Sequence, residues 1–253
     1  MALEALIFDV DGTLANTERD GHLLAFNLAF EQSGLDWVWS NELYHKLLDV
    51  TGGKLRIAHY VNDYGADCQC DDLERFAAEL HQLKTDIYVR LVNEGKIPLR
   101  PGVERLFHEA REAGLRLAIA TTTTLANVEA LIENTLGAEA LKWFEVIGAG
   151  SVVEKLKPSG DIYHWVLDQM QLSADNAIAF EDSYNGIVAA REANLKILIT
   201  TNAYTQTHQF DGAMAVLSHL GEPDKPFSMI QGDPTMHNYV NLDYLQELYA
   251  KNC

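Results

Sequence analysis

The sequence predicts an α/β fold in which a three-layer core with a central parallel β-sheet is interrupted by an all-helical insert. Short segments that are apolar nearly throughout recur along the chain, which is typical of parallel strands because helices cover both faces of their sheet. Helical segments follow most of these strands, as right-handed crossovers between parallel strands require. After the first strand, a long stretch shows only helical periodicity.

The predicted strands share this apolar pattern and lie at residues 3–8, 115–120, 144–149, 176–181 and 196–200. The helices predicted after them cover residues 124–136, 160–172 and 184–195. In an open parallel sheet, ligands bind beyond the carboxyl ends of the strands. Residues that directly follow these strands are therefore the first candidates for a functional site.

The insert is predicted from apolar residues at steps of three and four, such as Leu73, Leu80, Ile87 and Leu91, which give one buried helix face. Further insert helices are predicted over residues 20–33, 41–49 and 54–64. We expect a core formed by residues 1–17 and 97–253, and an insert formed by residues 18–96. Residues 218–238 are predicted to be a loop, and residues 238–250 a closing helix.

The composition is that of an ordinary globular protein, with 47% hydrophobic and 22% charged residues among 253. The formal net charge of −18 argues against a nucleic-acid partner and against docking on anionic lipid. No apolar run is long enough to span a membrane, and the start of the sequence lacks the features of a signal peptide. An anionic small substrate remains compatible with this charge, because a few local cations suffice to bind it.

The three cysteines, Cys68, Cys70 and Cys253, have no spacing that indicates a disulfide framework. Cys68 and Cys70 form a C-x-C pair, which is a weaker metal or redox signal than C-x-x-C. We expect ordinary thiols in a reducing compartment, hence a cytoplasmic protein. We also expect a monomer.

Two carboxylates, Asp9 and Asp11, directly follow the first predicted strand in "LIFDVDGT". Carboxylates this close repel each other unless a cation or a shared proton compensates. Magnesium prefers such hard oxygen ligands and needs few of them from the protein. The alternative is a turn or helix cap in which the aspartates accept hydrogen bonds. The apolar strand before them and the Gly-Thr after them favour the metal interpretation.

A second acidic pair, Glu181 and Asp182, follows a later strand in "AIAFEDSYNG". Small residues then open a helix, whose first N–H groups are free to bind an anion. Alone, this pair would more often be a capping motif. Two acidic strand ends of one sheet can nevertheless converge on a single ion.

Two further strand ends carry groups that suit a phosphate. Thr121 and Thr122 follow the second strand and offer hydroxyls and backbone N–H groups ahead of a helix. Lys157 precedes Pro158 and a helix; it is either a surface lysine or, at the acidic edge, a cation for a phosphate oxygen. A carboxylate nucleophile, a hard metal and donors to the equatorial oxygens together suit phosphoryl transfer.

These motifs resemble the haloacid-dehalogenase superfamily over nearly the whole chain. "DVDGT" (9–13) is similar to the first family motif, Thr121 to the second, Lys157 to the third and "EDSYNG" (181–186) to the fourth. The resemblance implies a Rossmann-like core with a small helical cap of the kind found in β-phosphoglucomutase and phosphoglycolate phosphatase. Within the cap, "TGGKLR" (51–56) resembles the T-G-G-K-E-R of CbbY-type sugar-bisphosphate phosphatases, with Leu55 where those carry glutamate.

The resemblance implies a Mg²⁺-dependent phosphatase that acts on xylulose 1,5-bisphosphate. Asp9 would attack phosphorus to form an aspartyl-phosphate, and Asp11 would protonate the leaving oxygen and then deprotonate water. The Asp9 carboxylate, the Asp11 carbonyl and Asp182 would hold the metal, with Glu181 as a direct or water-mediated partner. Thr121, Thr122 and Lys157 would hold the phosphoryl group.

Cap residues are expected to contact the rest of the sugar phosphate. Gly52 and Gly53 allow a close backbone approach, and Lys54 and Arg56 would bind the second phosphate unless they only begin a solvated helix. Two more residues are assigned to the substrate with alternatives: His22 contacts the sugar or packs between domains, and Asn185 contacts the substrate or lies on a helix surface.

Four other functions are weighed for the same scaffold. A β-phosphoglucomutase-like phosphomutase, or a phosphatase of another small ester such as phosphoglycolate, would use the same aspartates and metal. A dehalogenase would not need Asp11 or magnesium. A binding module without catalysis would not need all four motifs intact.

Overall fold

The computed structural model describes residues 2–68 and 70–252, and these form one seven-stranded sheet flanked by helices. The strands are β1 (Ala5–Phe8), β2 (Arg116–Ala120), β3 (Phe144–Gly148), β4 (Ala177–Glu181), β5 (Lys196–Thr200), β6 (Ala215–Leu217) and β7 (Met229–Gln231). Their order is β3-β2-β1-β4-β5-β6-β7, and all neighbours are parallel except β6 and β7. The predicted α/β class and parallel sheet are confirmed.

Strand β1 lies in the middle of the sheet, between β2 and β4. Phe8 is in register with Ile119 of β2 and Phe180 of β4, and its ring stacks on that of Phe180 at 4.3 Å. This register places the residue after Phe8 next to the carboxyl ends of both neighbours. The first predicted acidic pair therefore lies at the centre of the ligand-binding edge.

The helices outside the insert are α5 (Val103–Glu112), α6 (Leu125–Leu136), α7 (Asp161–Met170), α8 (Tyr184–Glu192) and α9 (Leu242–Lys251). Side chains of β1 alternate between the two faces of the sheet, as a strand requires. Leu6 and Phe8 pack into one apolar layer with α5, α6 and α9, and Ala5 and Ile7 into the other with α7 and α8. The core therefore has the three layers that the sequence predicts.

The insert, called the cap below, consists of α1 (Leu23–Gln32), α2 (Asn41–Leu47), α3 (Gly53–Tyr64) and α4 (Leu73–Asn93). A π-helical turn over Glu18–His22 leads into α1. Helix α4 begins where the Asp72 side chain accepts a hydrogen bond from the Arg75 amide at 3.1 Å, and its apolar stripe packs against α1, α3 and α6. The all-helical insert is confirmed.

Three elements were not predicted. Helix α5 contains none of the motifs and was not among the predicted helices. Strands β6 and β7 have three residues each, which is too short for an apolar pattern to be recognised. Strand β7 lies within residues 218–238, which the sequence predicts to be a loop, so that prediction is wrong for Met229–Gln231. Its pairing depends on its contact with β6, which no local pattern reveals.

The two chain segments that join core and cap lie side by side. Ala15 and Leu99 form an isolated antiparallel bridge, and the Arg100 amide donates to the Leu14 carbonyl at 2.8 Å. The cap therefore leaves and re-enters the core at one place, directly after the loop that carries Asp9 and Asp11.

Cys68 and Cys70 are joined by a disulfide in the loop between α3 and α4, where their Cα atoms are 5.3 Å apart. The expectation of free thiols is therefore wrong for these two cysteines, because the loop brings them within bridging distance. Cys253 lies outside the described residues. Among residues 2–68 and 70–252, none of the helices has the length and apolar character needed to cross a bilayer.

Candidate active site

Asp9 directly follows β1 and is held in place by the sheet. Its amide donates to the Phe180 carbonyl at 3.0 Å, which extends the pairing of β1 with β4 by one residue. The chain then turns sharply, and the Gly12 amide donates to the Ala15 carbonyl at 2.8 Å. Gly12 has a φ of +87°, and a Cβ there would overlap the Asp182 carboxylate. Glycine at position 12 thus lets the two acidic strand ends approach each other.

Lys157 joins these strand ends through one buried ammonium group. Its Nζ donates to Asp9 Oδ1 at 2.7 Å, to Glu181 Oε1 at 2.6 Å and to the Ala120 carbonyl at 2.9 Å. Tyr163 donates its hydroxyl to the same Glu181 oxygen at 2.5 Å. All three donors of the ammonium are used, so the position of Lys157 is fixed relative to β1, β2 and β4.

Asp9, Glu181 and Asp182 form a buried carboxylate cluster in which one oxygen of each residue lies within 4.8 Å of the others. Asp182 also accepts a hydrogen bond from Asn202 Nδ2 at 2.6 Å. Lys157 supplies one positive charge to three carboxylates, so it compensates only part of the negative charge of the ionised cluster. Carboxylate oxygens are the ligands that a hard divalent cation such as Mg²⁺ prefers, and the site fits one.

The titration of these groups follows from burial and from their mutual repulsion. Burial raises the pKa of Asp9 to about 7, although the ammonium of Lys157 opposes this. Burial and the carboxylates of Asp9 and Glu181 raise the pKa of Asp182 well above its ordinary value. Both shifts mean that a second positive charge at this place would stabilise the ionised cluster.

Asp11 lies in a different environment from Asp9. Its Oδ1 accepts hydrogen bonds from the Thr17 hydroxyl at 2.6 Å and from His22 Nε2 at 2.9 Å. Burial alone would raise the pKa of Asp11, but His22 and these two hydrogen bonds hold that pKa below its ordinary value. The pKa values of Asp9 and Asp11 are therefore shifted in opposite directions. This pattern is expected when two neighbouring carboxylates have different roles.

His22 is itself oriented by the cap. Lys84 on α4 is buried, and its Nζ lies 2.7 Å from His22 Nδ1. Because an ammonium group can only donate, Nδ1 is the acceptor and Nε2 carries the proton that bonds to Asp11. The imidazole ring stacks on Tyr88 at 4.2 Å. Helix α4 thus reaches Asp11 through a chain of two side chains.

A cavity of about 370 Å³ lies between core and cap above these groups. The predicted site residues that line it are Asp9, Asp11, Gly52, Arg56, Thr122, Lys157, Asp182 and Asn185. The predicted residues outside its lining are His22, Gly53, Lys54, Thr121 and Glu181. Of these, His22 and Glu181 contact lining residues directly.

Arg56 and Lys54 differ in their surroundings. Arg56 is buried, and its guanidinium donates to the carbonyls of Leu47 and Val50 at 3.0 and 3.3 Å and to the Tyr44 hydroxyl at 3.0 Å. Lys54 is exposed and pairs with Glu74 at 3.1 Å. In this arrangement Arg56 forms part of the cavity wall, and Lys54 points away from the cavity lining.

Two polar contacts close the cavity at its rim. Asn185 Nδ2 donates to the Thr51 hydroxyl of the cap at 3.0 Å, and the Tyr204 hydroxyl donates to Asn41 Oδ1 at 3.1 Å. Thr121 is buried beneath the rim, and its hydroxyl accepts a hydrogen bond from the Thr123 amide at 3.2 Å. Asn185 therefore bridges core and cap, and of the two predicted threonines only Thr122 reaches the lining.

Several residues of the site were not predicted: Thr17, Lys84, Tyr163 and Asn202. The sequence could have indicated that Lys84 is buried, because Lys84 lies four residues after Leu80 and three before Ile87 on the predicted buried face of α4. Asn202 also had a signal, because it follows the end of β5, a strand end to which no function was assigned. Tyr163 depends on a contact with Glu181, 18 residues away, and Thr17, six residues after Asp11, belongs to no motif recognised in the sequence.

Comparisons with known proteins agree on one family. The family model described as a haloacid dehalogenase-like hydrolase matches residues 3–194. Protein CbbY of Cupriavidus necator is 46% identical over 226 residues, which cover 88% of this chain and 88% of that protein. The crystal structure of CbbY from Rhodobacter sphaeroides in complex with phosphate is 44% identical, covers 86% of this chain and 94% of that one, and has a TM-score of 0.81. The same identity, coverage and TM-score hold for a mutant of that protein in complex with xylulose 1,5-bisphosphate.

Proposed function

The chain belongs to the haloacid dehalogenase-like hydrolase family and is a phosphatase enzyme, and from this premise we propose its substrate, metal and mechanism. We propose that it hydrolyses xylulose 1,5-bisphosphate to xylulose 5-phosphate in a Mg²⁺-dependent reaction. The observation that carries this proposal is the meeting of Lys157 with carboxylates from separate strand ends at one cavity. The CbbY protein that binds xylulose 1,5-bisphosphate, at 44% identity, supports the choice of substrate.

In the first step, Asp9 attacks the phosphorus of the phosphate ester and forms an aspartyl-phosphate. The Asp9–phosphorus bond forms as the bond from phosphorus to the sugar oxygen breaks, and the leaving oxygen takes a proton from Asp11. This step therefore uses the protonated minority form of Asp11, because Thr17 and His22 favour the ionised form. Lys157 contacts Asp9 and lies at the cavity, where its charge also stabilises the phosphoryl oxygens. Thr122 is the lining residue that we assign to the same oxygens.

In the second step, water attacks the phosphorus of the aspartyl-phosphate, and Asp11 removes a proton from this water. The Asp9–phosphorus bond breaks, which releases inorganic phosphate and restores the Asp9 carboxylate. The hydrogen bonds from Thr17 and His22 favour ionised Asp11, the form that this step needs. A Mg²⁺ ion held by the carboxylates of Asp9 and Asp182 and by the Asp11 carbonyl would neutralise the phosphoryl group in both steps. Glu181 positions Lys157 and Tyr163 beneath this site.

The cap selects the substrate by closing the cavity. The contacts of Asn185 with Thr51 and of Tyr204 with Asn41 join its walls across the seam, which excludes bulk water from the ester. We assign the second phosphate to the cap side of the cavity, where Gly52 and Arg56 line the wall. The contact of Lys54 with that phosphate stays a prediction.

The test is a phosphate-release screen over sugar mono- and bisphosphates, with Mg²⁺ and with a chelator. We expect the highest kcat/KM for xylulose 1,5-bisphosphate, with one phosphate released per substrate and no turnover in chelator. Transfer of phosphate between sugar carbons without release would assign a phosphomutase instead. Preference for phosphoglycolate would overturn the substrate assignment, and full activity in chelator would overturn the metal.

A further inference from the structure

A cavity of about 270 Å³, called the hinge cavity below, lies beside the two segments that connect core and cap. It adjoins the cavity of the candidate active site at Glu18, Asn202 and Tyr204, which line both. The charged or titratable side chains of its walls are Glu18, Arg19, Arg100, Tyr204, His219 and Lys225. No part of the proposed reaction uses this cavity.

The cations of the hinge cavity have few anionic partners. Arg19 pairs with Asp20 at 2.7 Å and is thereby neutralised. The guanidinium of Arg100 is buried and donates only to neutral acceptors, namely the carbonyls of Gly12, Thr200, Thr201 and Ser218 and the Thr200 hydroxyl. Its positive charge is therefore hydrogen-bonded without being compensated by a contacting carboxylate.

Lys225 is held at the cavity by a tight turn, in which its backbone exchanges two hydrogen bonds with Glu222 at 2.9 and 3.0 Å. Glu222 cannot neutralise it, because the two carboxylate oxygens accept from the Gly102 amide and from Arg105 Nε, each at 2.8 Å. Within residues 2–68 and 70–252, the Lys225 ammonium has no hydrogen-bond or ion-pair partner.

Two other features of the walls favour an anion. His219 Nδ1 is buried and, in the described part of the chain, has no hydrogen-bond partner. Glu18 is the one carboxylate among the lining residues, and it accepts the Tyr44 hydroxyl. In a protein with a net charge of −18, a cavity with unpaired cations and one engaged carboxylate is a local exception.

We propose that the hinge cavity binds a phosphate group, either inorganic phosphate or the phosphate of a small ester. Lys225 and His219 donate to it, and the charge of buried Arg100, whose terminal N–H groups are already engaged, stabilises it. Phosphate suits these groups because its three oxygens can accept from several donors at once and its charge balances two cations. This site is separate from the candidate active site and does not depend on the proposed substrate.

A short path of hydrogen bonds connects the hinge cavity to the buried carboxylate cluster. The Gly12 carbonyl accepts from Arg100 and from Asn202 Nδ2, and the same Nδ2 donates to Asp182 at 2.6 Å. A phosphate beside Arg100 is therefore connected to Asp182 by three contacts. The ligand would stabilise the loop that carries Asp9 and Asp11 as well as the joint between core and cap.

The experiment is calorimetric titration of inorganic phosphate in chelator. The protein forms are the wild type, Lys157→Met, Lys225→Met and the double variant Lys157→Met/Lys225→Met. Lys157→Met removes the buried positive charge of the candidate active site and leaves the hinge cavity unchanged, because Lys157 does not line it. Lys142→Met is the matched control, because Lys142 is exposed, pairs with Glu139 and lines neither cavity.

We expect two phosphate sites in the wild type and in Lys142→Met, and one in Lys157→Met. Lys225→Met should weaken the remaining site of Lys157→Met by about tenfold or more, since it removes a charged donor. Equal binding by Lys157→Met and the double variant, or no binding by Lys157→Met at millimolar phosphate, would overturn the proposal. If Lys157→Met does not fold, the count of sites in the wild type against Lys225→Met decides: two against one supports the proposal, and equal counts overturn it.

A second arm titrates methyl phosphate into Lys157→Met. Affinity similar to that of inorganic phosphate supports a site that accepts esters. Binding of inorganic phosphate with at least tenfold weaker methyl phosphate supports a site for the free ion. Absence of binding by both overturns the proposal.

Discussion

At the candidate active site, core and cap hold buried cations in opposite surroundings. In the core, the buried ammonium of Lys157 contacts the carboxylates of Asp9 and Glu181 at 2.7 and 2.6 Å. In the cap, buried Lys84 and Arg56 contact an imidazole, backbone carbonyls and a hydroxyl, and within residues 2–68 and 70–252 no carboxylate lies at hydrogen-bond distance from them. At this site the core thus compensates charge by contact, whereas the cap holds charge in neutral surroundings.

The difference has an energetic consequence. Burial lowers the pKa of Lys84 to about 8 from an ordinary value of 10.5, although Asp11 and Glu18 oppose this. That difference corresponds to about 3 kcal/mol against the charged form in the folded protein. The Asp9 and Glu181 carboxylates, in contrast, raise the pKa of Lys157 against the effect of burial. A buried cation of the cap is therefore retained in spite of its effect on stability, which points to a role in the site.

The largest expected effect tests the core side of the comparison. Asp9→Asn keeps the shape of the side chain and a group that accepts from Lys157, but removes the nucleophile. We expect turnover to fall by about 10⁴-fold or more, with a melting temperature close to that of the wild type. Steady-state phosphate release and thermal unfolding measure the two quantities. Asp211→Asn, at an exposed position, is the matched control, and retained turnover in Asp9→Asn would refute the nucleophile assignment.

The second prediction concerns Arg56, whose donors are occupied by the cap itself. Arg56→Ala leaves the Leu47 and Val50 carbonyls without their donor, so we expect a loss of about 2–4 kcal/mol in the free energy of unfolding. The neighbouring Lys54→Ala is the control, because an exposed ion pair contributes at most about 1 kcal/mol. Chemical denaturation measures both.

The same pair of variants also tests the second phosphate. If Lys54 contacts it, Lys54→Ala raises KM for a sugar bisphosphate more than KM for the monophosphate. The assignment of Lys54 to the second phosphate leads us to expect this difference, although Lys54 is exposed outside the cavity lining in this structure. A selective rise in KM for the bisphosphate would show that the cap moves when substrate binds.

The smallest expected effect has opposite signs for stability and activity. Lys84→Met removes an uncompensated buried cation, so we expect the free energy of unfolding at pH 7 to rise by about 1–3 kcal/mol. It also frees the His22 ring from its fixed tautomer, so we expect kcat to fall by about tenfold. A loss of both stability and activity would contradict the view that Lys84 is retained for function.

The pH dependence of stability gives an independent check on Lys84. The folded protein loses this proton near pH 8, and the unfolded chain near the ordinary value of 10.5. Between these values the unfolded state binds more protons, so the contribution of Lys84 makes the wild type more stable as pH rises. Chemical denaturation at pH 7.5 and 9.5 measures the rise in the free energy of unfolding between these pH values. This rise should be smaller for Lys84→Met than for the exposed control Lys142→Met.

The sequence predicts the core side of the site far better than the cap side. Asp9, Asp11, Glu181 and Asp182 each follow a strand with a clear apolar pattern, so a local signal and one rule of sheet geometry bring them together. Lys84 reaches Asp11 only because α4 packs on the turn before α1, a contact between distant segments. The same limit applies to β7, which exists only by pairing with β6.

The bridge between Ala15 and Leu99 bears on how such an enzyme can change. The segments that enter and leave the cap are in contact, so the ends of the insert are close together whatever its length. The entropy cost of closing the insert as a loop therefore changes little with its length. A cap of different size or sequence can therefore be grafted at this joint while the catalytic groups of the core keep their positions. Selectivity and chemistry are in this sense separately exchangeable parts of one polypeptide.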